Sequence, residues 1–192
     1  MEALILGLLL FLGTHSIGLV ARPWRNHMVN RLGETPWKLL YTAVSLVGFI
    51  LIIWGYGQAR TDPLWLWHSP VWTRHLAALL TLPAFILVVA AYVPGNRLKA
   101  RVGHPMVLGT KFWAIAHLIS NGTLADLLLF GGFLVWAVSA FILLRRRDRV
   151  DGTVPVVGGL SRDIITWVVG LLAWAVFAFY LHGLLIGVRP FG

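Results

Sequence analysis

The sequence predicts an all-α polytopic membrane protein, a bundle of about six transmembrane helices with both termini on the outer side. Hydrophobic residues make up 58% of the 192 residues and charged residues only 12%. This composition, with long apolar stretches that are almost free of charge, is typical of membrane proteins. The basic residues cluster in the short connections between those stretches, where a membrane protein carries its topology signals.

Six apolar segments are long enough, or nearly so, to cross about 30 Å of hydrocarbon, which needs roughly 17–25 helical residues. The fourth is the weakest, because it is short and carries Lys111 and His117. Pro105 fits the first turn of that helix, and Pro83 is expected to kink the third helix without ending it. The whole chain, 1–192, is expected to form a single membrane domain. The six segments cover about 2–21, 38–56, 74–93, 105–121, 124–144 and 163–188.

Orientation follows from the lysines and arginines. Counted together with Lys38 and Lys111 in the adjoining segments, the first, third and fifth connections hold 13 of the 16 basic residues. The positive-inside rule therefore places these connections in the cytoplasm. We interpret the N-terminal apolar stretch as a retained first helix rather than a signal peptide, because no basic residue precedes it. Because the basic residues lie beside the apolar segments, we interpret the net charge of +9 as a topology signal and not as a sign of nucleic-acid binding. The expected partner is the lipid bilayer, and the expected location is a bacterial inner membrane. The Arg145–Arg149 cluster also suits anionic lipid head groups.

Several chemistries are excluded by what the sequence lacks. It contains no cysteine, so disulfides, thiolate metal sites and covalent haem attachment are ruled out. It contains no P-loop, dinucleotide fingerprint or metalloprotease helix.

Two histidines lie inside predicted helices, where polar side chains are costly and point to function. His15 lies between Gly13 and Gly18, which would let a helix or a flat cofactor approach closely. His117 lies in the fourth helix, one turn before Asn121, which could orient the imidazole. The pattern indicates haem b held between His15 and His117, since neutral imidazoles bind iron. The alternative is a pair of buried histidines bonded to helix carbonyls or water.

The remaining candidates have less specific patterns. Lys111 is expected to extend toward the cytoplasmic face, or alternatively to pair with a haem propionate or an anionic substrate. His104 begins the fourth helix about 140° around it from His117, so the two should not share one ion. His27 and His68 are assigned to loops. His75 and His182 are assigned to outer helix ends, as solvated or interfacial side chains.

These residues carry a resemblance to a known family. The matching stretches are GTHS at 13–16, GHPMVLGT at 103–110, the segment 113–122 around His117, RRRDRVDG at 145–152 and AWAVFAFYLHG at 173–183. In order and spacing they resemble the NnrU family over nearly the whole chain. Its bacterial members are membrane proteins associated with denitrification, needed for nitrite and nitric oxide reduction.

A plant and cyanobacterial branch of the family is the 15-cis-zeta-carotene isomerase, a b-haem enzyme. The resemblance implies that its two proposed haem ligands correspond to His15 and His117. The isomerase has a further histidine after its second membrane helix, whereas this sequence reads GYGQAR at 55–60. The resemblance thus predicts a haem b protein with isomerase-like or other redox chemistry, linked to a nitrogen-oxide reductase system.

Two other functions stay open at this point. One is a non-catalytic accessory protein that assembles or stabilises a membrane reductase. The other is a membrane methyltransferase of the isoprenylcysteine type, because Gly103-His104-Pro105 resembles the His-Pro element of those enzymes. The glutamate pair that those enzymes also use has no counterpart in this sequence.

Overall fold

A computed structural model describes residues 1–191, and α-helices dominate it. The apolar segments form helices because each satisfies its backbone hydrogen bonds internally, as a membrane requires. The elements are α1 (Glu2–Val20), α2 (Arg22–Leu32), α3 (Glu34–Ala59), α4 (Thr73–Tyr92), α5 (Arg97–Val102), α6 (Pro105–Ser120), α7 (Leu124–Asp151), α8 (Leu160–Val176), a π-helical turn (Phe177–Leu181) and α9 (His182–Ile186).

All six predicted segments are helical, and the all-α class is confirmed. Within residues 1–191, five helical stretches are long and apolar enough to cross a membrane: α1, α3, α4, α7 and the continuous stretch Leu160–Ile186. Helix α6 has 16 residues, which at about 1.5 Å per residue gives roughly 24 Å. The sixth span and the orientation of the termini therefore stay predictions.

The structure corrects the expected connections. The first connection is not a loop, because Arg22–Leu32 forms α2 and places His27 within a helix. The second predicted helix is longer than expected, running from Glu34 to Ala59. Helix α7 continues through the arginine cluster to Asp151. These segments are polar, so hydropathy alone does not reveal them as helical.

The chain divides into two compact units, which are described separately. Unit 1 comprises Met1–Trp67 and Thr123–Trp136, and unit 2 comprises His68–Gly122 and the chain from Ala137 onward. Helix α7 contributes its first half to unit 1 and its second half to unit 2.

In unit 1, helices α1 and α3 pack with their backbones in direct contact. A Cβ atom added at Gly7 would lie 2.6 Å from the Ile52 nitrogen, and one added at Gly48 would lie 2.8 Å from the Phe11 nitrogen. A Cβ atom at Gly55 would overlap the backbone of Leu4. Small residues allow this approach between membrane helices, where dispersion and close packing supply the attraction.

A neighbouring helix was expected at two other glycines of α1, Gly13 and Gly18. A Cβ atom at Gly13 would meet nothing within 4 Å, so among the described residues no helix packs against that position. That expectation was wrong for a neighbouring helix, because the contact surface of α1 lies nearer its N-terminus.

In unit 2, α4 packs against both α6 and α8. A Cβ atom at Gly109 of α6 would lie 2.9 Å from the Ala84 carbonyl oxygen, and one at Gly170 of α8 would lie 2.8 Å from the Ile86 Cα. The Trp174 indole donates a hydrogen bond of 3.1 Å to the Thr81 hydroxyl, which ties α8 to α4 a second time.

The outward faces of the helices are strongly apolar. Large exposed side chains occur on each long helix, which is the surface expected for a protein in contact with lipid chains. Examples are Ile50, Leu79, Val135 and Leu172.

The contact between α1 and α3 can be tested with a pair of glycines in one helix. We expect Gly55→Ala to force the two backbones apart and to lower the free energy of unfolding by about 1–3 kcal/mol. Gly57→Ala is the matched control, because a Cβ atom there meets nothing within 4 Å. The measurement is unfolding in detergent. Equal stabilities of the two variants would contradict backbone contact at Gly55.

Candidate functional site

His15 lies in unit 1 within an aromatic environment. Its ring stacks on Phe11 with centroids 4.2 Å apart and meets Tyr41 and Trp136 edge-on at 5.4 and 6.3 Å. Helices α1, α3 and α7 each supply one of these three rings. The Trp136 Nε1 atom is buried without a hydrogen-bond partner in the described part of the chain. A buried unpaired indole N–H is unusual in a folded protein and points to an acceptor outside the chain.

The local helix geometry selects the tautomer of His15. Its Nδ1 lies 2.7 Å from the carbonyl oxygen of Phe11, one turn earlier. A carbonyl can only accept, so Nδ1 carries the hydrogen and a neutral ring has its lone pair on Nε2. Metal-bound histidines commonly show this arrangement, with the second ring nitrogen donating to a carbonyl.

His117 lies in unit 2 and repeats the same local arrangement. Its Nδ1–H donates to the Trp113 carbonyl oxygen at 2.9 Å, and the Trp113 ring lies 5.3 Å away by centroids. Asn121 donates its amide to the main-chain carbonyl of His117 at 2.9 Å, at the end of α6. The ring of His117 is thus oriented by the Trp113 carbonyl, while Asn121 caps the helix.

A third histidine lies beside His117. The His182 ring is nearly parallel to the His117 ring, with centroids 6.5 Å apart and an interplanar angle of 23°. Its Nδ1–H donates to the Val188 carbonyl oxygen at 2.6 Å. Sequence reasoning assigned His182 to an interfacial position, since nothing in the local pattern indicates that a ring 65 residues earlier in the chain lies next to it.

The other predicted candidates have separate partners in unit 2. The Lys111 ammonium lies 4.8 Å from the centroid of the Phe141 ring, a cation–π contact. The His104 Nε2 is bonded to the Asp148 carboxylate at 2.9 Å, and Arg145 lies 3.5 Å from the same oxygen. These contacts hold the start of α6 against the end of α7.

Unit 1 also contains a buried polar cluster around the Asp126 carboxylate, which was not identified from the sequence. Asp126 is only 4% exposed and accepts hydrogen bonds from the Tyr56 hydroxyl and from the backbone and hydroxyl of Thr123. The Thr123 hydroxyl in turn accepts from the Asp126 N–H at 3.2 Å, which makes a capping box at the start of α7. The Thr-x-x-Asp spacing is visible in the sequence, whereas the contact with Tyr56 is not.

Comparison with known proteins identifies the family. A family model described as NnrU protein matches residues 3–190, nearly the whole chain. No curated protein and no solved structure matches the chain.

The Tyr56–Asp126 contact gives a prediction for stability. We expect Tyr56→Phe to lower the free energy of unfolding by about 1.5–3 kcal/mol, because a hydrogen bond to a charged group is lost without a change of shape. The matched control is Tyr92→Phe on α4, where the side chain is 76% exposed. Thermal unfolding of both variants in one detergent measures the difference. If Tyr56→Phe is as stable as Tyr92→Phe, the hydrogen bond between the Tyr56 hydroxyl and the Asp126 carboxylate does not stabilise the protein.

Proposed function

The chain belongs to the NnrU family, and on this premise we propose that it is a multi-pass membrane protein that binds haem b. The observation that carries the proposal is the orientation of the imidazoles. His15 and His117 each donate Nδ1–H to a carbonyl one turn earlier in their own helix. This fixes Nε2 as the nitrogen with the lone pair, the form in which histidine binds iron.

His117 would provide one axial ligand. It lies on α6, which is the shortest of the six predicted spans and, with 16 residues, falls short of the length of a membrane-crossing helix. A histidine and a lysine within the apolar stretch of a membrane helix are costly, and such residues usually serve a function. The Lys111 ammonium, held over Phe141, supplies a cation on the same helix that could neutralise a propionate.

His15 is the second ligand predicted from the sequence. The structure of unit 1 supports a role for it in cofactor binding, because aromatic rings surround the imidazole and the neighbouring Trp136 N–H has no acceptor among the described residues. Aromatic side chains and a few placed polar groups are the usual lining of cofactor sites.

A bound b-type haem would supply one-electron chemistry at its iron. We place this chemistry in the reduction of nitrite and nitric oxide in a bacterial inner membrane, the process that the family resemblance implies. The residues of the chain would hold the cofactor within an apolar environment, and the imidazole hydrogen bonds would orient the rings and direct Nε2 toward the iron.

Haem binding is tested by absorption spectra of the protein purified in detergent with haem supplied. We expect a Soret band in the wild type and its loss in His117→Ala, because the iron loses an axial ligand. Imidazole added to His117→Gly should restore the band. His75→Ala is the control, since its side chain is exposed at the start of α4. A wild type without a Soret band, or a His117→Ala variant with full haem content, would refute the proposal.

A cellular experiment separates haem chemistry from an accessory role. In a deletion strain that has lost nitrite reduction, the His15→Ala/His117→Ala double variant should fail to restore it, whereas His75→Ala should restore it. Restoration by the double variant would favour a protein that assembles a reductase without binding haem.

A further inference from the structure

Helix α2 connects two membrane-length helices at one end of unit 1. Helices α1 and α3 are both long and apolar enough to cross a membrane. They run antiparallel, because Gly55 lies against the backbone of Leu4 whereas Gly48 lies against that of Phe11. Helix α2 has 11 residues and is about 16 Å long at 1.5 Å per residue. In a membrane, a short polar helix that joins two antiparallel spans lies at the bilayer surface.

The chain leaves the helical conformation on both sides of α2. Ala21, between α1 and α2, has φ −124° and ψ 41°, and Gly33, between α2 and α3, has φ +90°. Pro23 lies in the first turn of α2, where its missing N–H would have no partner within the helix. Helix α2 is therefore a separate element and not an extension of either neighbour.

Little within the chain stabilises this helix. None of its 11 residues, all of which the structure describes, is buried. Helices shorter than about 12–15 residues are marginal in water even when they are built from strong helix formers, and α2 contains asparagine, histidine and valine, which are weaker ones. It contains no aspartate or glutamate, so no acidic side chain of α2 can pair with an arginine one turn away. A stabilising surface outside the chain is therefore expected.

The apolar side chains of α2 form only a narrow stripe. At about 100° per residue, Trp24, Met28 and Leu32 fall within about 80° of one another around the helix, and Arg31 and Arg25 lie about 20° outside the two edges of the stripe. Trp24 is 50% exposed and Leu32 is 41% exposed. Arginines beside such a stripe can extend their charged ends to the head groups while the stripe faces the acyl chains.

One aromatic contact holds the start of α2 to unit 1. The Trp24 ring meets the Trp37 ring edge-on, with centroids 5.8 Å apart and an interplanar angle of 75°. Trp37 lies in the first turn of α3 and is only 6% exposed. Trp24 thus packs against the protein and keeps half of its surface exposed, as tryptophans do at the membrane interface.

The charge of α2 is not neutralised by the rest of the described chain. Arg22, Arg25 and Arg31 are all exposed, and among the described residues no carboxylate forms an ion pair with any of them. Glu34, the acidic residue that follows α2, is paired with Lys38 at 2.7 Å. Three arginines without acidic partners on one short helix are complementary to an anionic surface.

We infer that α2 lies on the bilayer surface and binds anionic phospholipid head groups. Its arginines bond the phosphates, since a guanidinium presents two parallel N–H groups to two phosphate oxygens. Trp24, Met28 and Leu32 lie at the boundary between head groups and acyl chains. A bilayer fits better than a soluble acidic protein, because α1 and α3 hold both ends of the helix at the lipid surface. This interaction is separate from the proposed haem site and does not depend on it.

Hydrogen–deuterium exchange of the full chain in lipid nanodiscs tests this inference. Amides 25–32 should exchange more slowly in discs that contain phosphatidylglycerol and phosphatidylcholine than in discs of phosphatidylcholine alone, by up to about fivefold per arginine. Added salt should reduce the difference, because charges at a surface are screened over about 10 Å at 0.1 M.

Two variants separate the charge of the arginines from the stability of the helix. Arg22→Gln/Arg25→Gln/Arg31→Gln should exchange equally fast in both kinds of disc, although glutamine has about the same helix propensity as arginine. The corresponding triple lysine variant keeps the charge and should keep the dependence on anionic lipid. Unchanged exchange in α1 and α3 checks that unit 1 is folded.

A matched control removes the same charge elsewhere. Arg101→Gln/Arg146→Gln/Arg149→Gln changes three exposed arginines of unit 2 and should leave the exchange of α2 at the wild-type rate. A loss of protection in this control as large as that in the α2 variant would overturn the inference, because net charge and not α2 would then be responsible.

The wild-type rates also decide against the inference if they do not depend on lipid charge. Rapid exchange of α2 in both kinds of disc would show that lipid does not cover the helix, and a soluble partner would then be the better explanation. Slow exchange in both, retained in the glutamine variant, would show that contacts within the chain protect it.

Discussion

Direct contact between helix backbones at glycine residues is the constraint on which both units depend. In unit 1, Gly7, Gly48 and Gly55 bring α1 against α3, and in unit 2, Gly109 and Gly170 bring α6 and α8 against α4. In lipid there is no hydrophobic driving force between helices, so close packing has to supply the attraction. Each candidate histidine on α1 or α6 lies on a helix whose depth is set by such a contact, and replacement of these glycines would move the imidazoles as well as the helices.

The orientation of the imidazoles follows from helix geometry and needs little tertiary structure. A histidine inside a helix can donate Nδ1–H to the carbonyl four residues earlier, which has a second lone pair beyond its backbone bond. His15 and His117 both do so. Membrane burial favours this bond, because an unpaired N–H would have no water to bind. The same force that satisfies the polar group therefore leaves the lone pair of the neutral ring on Nε2.

The sequence was sufficient to predict features that depend on a local pattern, such as the helical segments. It was insufficient to predict contacts between residues that are far apart in the chain. Apolar runs predicted the helical segments, and a polar group at membrane depth singled out His15 and His117. Hydropathy could not reveal α2, because Arg22–Leu32 is polar and is helical without an apolar face to bury. The contacts between Tyr56 and Asp126, and between His117 and His182, join residues 70 and 65 positions apart. No periodicity encodes such contacts, since they arise only when the helices are packed.

His182 illustrates how far the position of a side chain can depend on features that the sequence pattern does not predict. On the sequence it is a histidine near a helix end, for which solvation is the ordinary explanation. In the structure a π-turn changes its direction, and a left-handed glycine returns the Val188 carbonyl to its ring. Two backbone features, the π-turn and the glycine with positive φ, therefore decide where this imidazole lies, and neither of them is part of a periodic pattern from which the sequence could have predicted the position of the ring.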